Sequence, residues 1–156
     1  MKEYEKCSQD LLDFIRRSPG SYHAVRNIAE NLRGEGFKEL KENAVWDLHM
    51  GDKYFTIRND SSIIAFRLPE RREFKGFHII AAHSDSPAFK IKEAPEMTAG
   101  EKYIVLNTEK YGGMIMSAWL DRPLSVAGRL ALADEGADNG VSTKLVNIDR
   151  DLIVIP

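Results

Sequence analysis

The chain has 156 residues, enough for one domain with one sizeable core. Apolar residues make up 43% and charged residues 29%, an ordinary globular composition. A formal charge of −2 and a pI near 6.1 give no basic excess, which argues against nucleic acid or an acidic membrane as a partner.

The opening segment, MKEYEKCSQD, is charged and polar and lacks the apolar run of a secretory signal. No stretch approaches the roughly 18 apolar residues that a membrane span needs. The single cysteine, Cys7, cannot form an internal disulfide. Together these features point to a reducing, cytoplasmic setting. Cys7 shares a helical spacing with Tyr4 and Leu11, so packing on a buried face is a better reading than a reactive thiol.

In chain order, Tyr4, Cys7, Leu11, Leu12 and Ile15 fall on one face of a helix over residues 3–17. Ser18-Pro19-Gly20 stops that helix, because proline lacks an amide hydrogen and clashes with the preceding turn. Ser21 then suits the N-cap of a second helix with Ala24, Val25, Ile28, Ala29 and Leu32 on its apolar face. Gly34 and Gly36 end it, so the two helices form a hairpin.

The periodicity changes after Phe37. Met50-Gly51-Asp52-Lys53 reads as a hairpin turn before a strand at residues 54–58, and Asn59-Asp60 as the turn into a strand at residues 63–66. Pro69 to Gly76 is a charged loop. Phe77 to Ala82 is a continuous apolar run, the pattern of a strand covered on both faces. Short strands are predicted at residues 103–106, 125–133, 145–148 and 152–155, with a polar turn at residues 134–140.

The residues best placed for chemistry are His83 and Asp85, in His83-Ser84-Asp85 at the end of the apolar run. Side chains at i and i+2 leave a strand on the same side. Zinc binds neutral imidazole, and a nearby carboxylate fixes the tautomer of such a ring. Spacing alone favours a plainer alternative, a strand-end turn in which Asp85 and Ser86 bond to backbone amides. One histidine and one aspartate are too few for a zinc site. His23 and His49 are read as solvated, and His78 as packed in the sheet. Gly112-Gly113 reads as a bulge or turn, and Asp121-Arg122 as an internal ion pair. No Cys-x-x-Cys, Gly-x-Ser-x-Gly or phosphate-binding glycine loop is present.

Ala81-Ala82-His83-Ser84-Asp85-Ser86-Pro87, followed by Phe89-Lys90-Ile91-Lys92, resembles the aspartyl aminopeptidase / aminopeptidase I family of zinc metallopeptidases. So do Tyr111-Gly112-Gly113 and the run from Trp119 through Asp121-Arg122-Pro123 to Arg129. Ser18-Pro19-Gly20-Ser21-Tyr22-His23-Ala24 and Ser61 to Phe66 are similar to the family as well. The likeness covers essentially the whole chain. It implies an α/β fold: the start of a zinc-peptidase α/β domain, a helical hairpin plus sheet, followed by part of an inserted β-rich dimerisation domain. The corresponding boundaries are residues 1–92 and 93–156. His83 matches the family's first zinc ligand, and Asp85 the acidic residue that supports it.

The resemblance further implies a hydrolase that removes N-terminal, commonly acidic, residues from peptides. It implies two zinc ions in the complete enzyme, a metal-bridging water activated by a glutamate, and assembly into homo-oligomers. The bridging aspartate, the base glutamate and the remaining ligands have no counterpart in these 156 residues. The chain is therefore expected to be an N-terminal fragment: a truncated product, a proteolytic piece or a shortened gene product. It is expected to be inactive alone. A non-catalytic oligomerisation or regulatory module derived from the same family is the alternative.

Overall fold

The structure, a computed structural model, describes residues 2–73 and 75–156. Its elements are α1 (Glu3–Arg17), α2 (Ser21–Gly34), β1 (Lys38–Leu40), β2 (Lys53–Arg58), β3 (Ser62–Arg67), β4 (Ala88–Ala99), β5 (Tyr103–Tyr111), β6 (Ala127–Ala133) and β7 (Val141–Asn147). A single turn of 3-10 helix spans Met116–Ala118. The chain forms two compact units, Met1–Asp85 with Ser125–Arg150, and Ser86–Leu124 with Asp151–Pro156.

In the first unit the helical hairpin forms where the periodicity places it. Glu5 accepts a hydrogen bond from the Lys2 amide at 2.8 Å and closes the open start of α1. The end of α2 is a Schellman motif. Phe37 N–H donates to the Leu32 carbonyl, Gly36 N–H donates to the Arg33 carbonyl, and Gly36 takes φ +80°. Glycine is needed at that position because a Cβ disfavours the left-handed region.

β1, β2 and β3 form one sheet in that order, with β2 central. β2 and β3 are antiparallel, from Lys53↔Arg67 to Arg58↔Ser62. Asn59 and Asp60 both take positive φ, 52° and 56°, the sign that a primed hairpin turn requires. Met50-Gly51 also turns the chain, but it does not join a hairpin. β1 runs parallel to β2, so the connection between them is a crossover.

The core is small. It consists of Ala24, Val25 and Ala29 of α2 with Tyr54 and Phe55 of β2, accompanied by buried His23, Asn27 and Thr56. Successive residues of β2 point to opposite faces. Phe55 lies under the Arg33 guanidinium of α2 at 5.3 Å. Tyr54 turns the other way, 5.7 Å from Phe66, which in turn stacks on Trp46 at 6.3 Å. The Tyr54 hydroxyl accepts from the His49 amide at 2.8 Å and donates to Asp52 at 3.0 Å. Lys38 completes the group at 2.6 Å from Asp52, and its hydrogen bond, ahead of that from Tyr54, holds the Asp52 carboxyl below its ordinary pKa. β6 and β7 form an antiparallel hairpin in the same unit, paired from Ala127↔Asn147 to Ala133↔Val141 across the polar turn.

The second unit is built on the β4–β5 ribbon, antiparallel with a register shift between Ile91 and Glu96. Phe89 meets Trp119 edge-on at 5.5 Å. Gly112 takes φ +74°, where a side chain is strained, although a Cβ there would meet Pro87 only at ordinary contact distance, 3.6 Å from its Cα. The strand predicted at residues 152–155 is reduced to one bridge, Leu124↔Ile153. Arg122 donates to the Ala118 carbonyl, and no Asp121–Arg122 ion pair is formed among the described residues.

Three expectations are corrected here. Residues 77–82 form no strand, and Phe77, Ile79 and Ile80 are 80%, 83% and 99% exposed. An apolar run favours burial, but a strand also needs a ladder partner, and none of the described strands pairs with it. His78 is likewise exposed rather than packed in a sheet. Cys7 is exposed, and α1 buries none of its residues. α2 packs against α1, but Tyr4, Leu11, Leu12 and Ile15 of the apolar stripe stay more than half exposed. Part of the predicted loop at residues 69–76 lies outside the described residues.

Candidate functional site

His83 and Asp85 lie in the irregular segment between β3 and β4. The structure brings them together even though no strand orients them. His83 Nδ1 is 3.0 Å from the Asp85 carboxylate and 2.9 Å from the Asp85 carbonyl oxygen. Both of those oxygens are acceptors, so the contact requires a proton on Nδ1. In the neutral ring Nε2 then carries the free lone pair, the tautomer in which an imidazole binds a metal while a carboxylate holds its other nitrogen. The His83 side chain is 82% exposed and can be reached by a ligand.

The intervening residue is fixed from outside. Ser84 Oγ donates to the Ser61 carbonyl at 2.8 Å. Ser61 follows Asn59-Asp60 in the β2–β3 turn, and that turn is itself anchored. Arg129 of β6 donates through Nη1 to the Asn59 carbonyl and to the Asp60 carboxylate, each at 3.2 Å. The Arg129 guanidinium also lies 4.1 Å over the Tyr22 ring of α2. Sequence reasoning missed both Ser84 and Arg129. Their partners are 23 and about 70 residues away in the chain, and no periodicity signals a contact of that range.

Zinc is the metal that the family implies. The donor chemistry fits one ligand position, His83 Nε2. It does not fit a whole site, since the described residues contain no group of three or more His, Cys, Asp or Glu side chains that could hold a metal. An open catalytic zinc site takes three protein ligands.

His23 departs from expectation. It is 2% exposed, and neither ring nitrogen completes a hydrogen bond among the described residues. Burial, and secondly the charge of Arg26, hold its pKa below the ordinary value, against a weaker opposite influence from the backbone of Val146. A surface position on the predicted helix implies a solvated side chain at 23, and the structure buries it instead. His49 is exposed as expected. Asn27 of α2 was not singled out either; it is buried and donates to the end of α1.

Comparison with known proteins gives the class. The family of aminopeptidase I zinc metalloproteases (M18) matches residues 14–156. The chain belongs to that family, and its mixed α/β fold matches part of the family's solved structures. It is 49% identical over its whole length to a probable M18 family aminopeptidase 2 of Clostridium novyi, of which it covers 36%. It is 43% identical over 97% of its length to aspartyl aminopeptidase 1 of Schizosaccharomyces pombe, covering 32% of that protein. The mApe1 dodecamer of S. cerevisiae superposes with a TM-score of 0.83 at 32% identity, over 95% of this chain and 34% of that one. The chain thus spans about a third of the length of these relatives.

Proposed function

We propose that the chain is the first part of a metal-dependent aminopeptidase that removes N-terminal, acidic residues from peptides. In this reading His83 is a zinc ligand through Nε2 and Asp85 holds its ring. A zinc ion bound there supplies Lewis-acid activation of water and of the scissile carbonyl. The chain's own contribution is to keep the Nδ1 proton on the Asp85 side and the Nε2 lone pair outward. The observation that carries the reading is the His83–Asp85 contact at 3.0 Å inside the motif that carries the family likeness. Acidic specificity is supported by the name of the fission-yeast relative. Two zinc ions, peptide substrates, a homo-oligomer and a cytoplasmic setting belong to the same proposal. Among the described residues no helix is long and apolar enough to cross a membrane.

Residues 1–92 begin the catalytic domain in this reading, and residues 93–156 begin the inserted dimerisation domain. The 156 residues alone are inactive. A second reading, a non-catalytic oligomerisation or regulatory module, is favoured by the absence of a three-donor group among the described residues. The deciding experiment is an aminopeptidase assay on acidic aminoacyl substrates with zinc, cobalt or manganese, on this chain and on a complete enzyme carrying it. Activity of the complete enzyme that requires His83 supports the first reading; an inactive complete enzyme with normal assembly supports the second.

A further inference from the structure

We propose that Ser84 is a positioning residue for His83, and that the β2–β3 turn, clamped by Arg129, is the fixed point against which it works. The inference rests on reading His83 as a metal ligand.

The His83–Asp85 contact spans two residues of backbone, and it holds only in a backbone conformation that turns both side chains the same way. Ser84 is the residue in the middle. Its hydroxyl donates to the Ser61 carbonyl at 2.8 Å in a part-buried setting. The segment from residue 75 to residue 87 belongs to no strand or helix, so a ladder does not fix its φ and ψ. A side-chain bond to the β2–β3 turn supplies that restraint.

The acceptor is also held in place. Asn59 and Asp60 sit at φ 52° and 56°, where Asn and Asp are the non-glycine residues best tolerated. Arg129 bonds both of them, its side chain is largely covered, and its guanidinium is stacked on Tyr22. Tyr22, Arg129, the Asn59–Ser61 turn, Ser84, His83 and Asp85 therefore form one connected series inside the first compact unit. Residues remote in sequence meet at the backbone that carries the ligand.

The test uses the chain itself, with NMR of ring-labelled His83 at a fixed alkaline pH. Ring carbon and nitrogen shifts report which nitrogen carries the proton, and zinc affinity is measured on a complete enzyme carrying the sequence. Ser84→Ala should lower the Nδ1–H population in this chain and, in a complete enzyme carrying it, weaken zinc binding by roughly 10-fold. Ser84→Thr, which keeps the hydroxyl, should restore both, and Arg129→Ala should move His83 in the same direction as Ser84→Ala. An unchanged tautomer and unchanged zinc affinity in Ser84→Ala, with an intact backbone spectrum, would overturn the proposal. If a complete enzyme carrying this sequence binds zinc equally well with and without His83 while Ser84→Ala still lowers the Nδ1–H population, the positioning role stands and the metal reading falls.

Discussion

The side-chain amide of Asn27 on α2 donates to the Arg17 carbonyl at the end of α1, and to Ser18 Oγ, both at 2.9 Å. A buried amide therefore closes one of the carbonyls that the end of α1 leaves open, and it fixes the angle of the helical hairpin. Asn27→Ala should destabilise the chain by about 1–3 kcal/mol, since it strands a carbonyl in a partly buried place. Asn27→Asp should cost more, because a carboxylate cannot donate and meets the negative end of α1. Urea unfolding measures both; a loss below about 0.5 kcal/mol for Asn27→Ala would show that water replaces the amide.

Stability should fall in mild acid because of His23. Its pKa in the folded chain lies below 6.5, the value it regains on unfolding. The unfolded chain then binds more protons, so stability rises with pH. The contribution is complete above pH 6.5 and is lost as the pH drops through the folded value. Unfolding followed between mild acid and neutrality should show this slope, and His23→Gln should flatten it. An identical slope in the variant would assign the effect to carboxylates.

The 156 residues alone should show no aminopeptidase turnover. Metal-dependent hydrolysis of an acidic aminoacyl substrate that disappears in His83→Ala would sink this expectation.

In a complete enzyme carrying this sequence, His83→Ala should remove most activity together with bound metal. Asp85→Asn should preserve the fold and lower metal affinity or rate by roughly 10–100-fold. Metal content by elemental analysis, measured alongside kinetics, separates loss of the ion from loss of its orientation. Unchanged values in both variants would return the motif to a strand-end turn.

The chain should self-associate at micromolar concentration. Ile79 and Ile80 are almost fully exposed beside Phe77, and each apolar side chain of this size left in water forfeits about 1.5–3 kcal/mol relative to burial. Sedimentation decides the matter. A monomer would refute the expectation, whereas an oligomer dispersed by Ile79→Lys with Ile80→Lys would locate the surface.

What the sequence determines by itself is local. Helical spacing and the Pro19-Gly20 break set α1 and α2, and Asn59-Asp60 sets a turn, because these signals act over one turn of chain. The approach of His83 to Asp85 is legible for the same reason: two residues cannot separate far. Tertiary structure decides which of these groups is buried and which is held. α2 packs against β2, β3 and β6, and β6 begins almost a hundred residues after α2 ends, so nothing near His23 or Asn27 announces their burial. β1 pairs parallel to β2 through a crossover, where the local Met50-Gly51 signal read as a hairpin. The apolar run at residues 77–82 shows the limit most directly. Composition states that these side chains favour burial, but whether a strand forms depends on backbone donors and acceptors that other segments must supply.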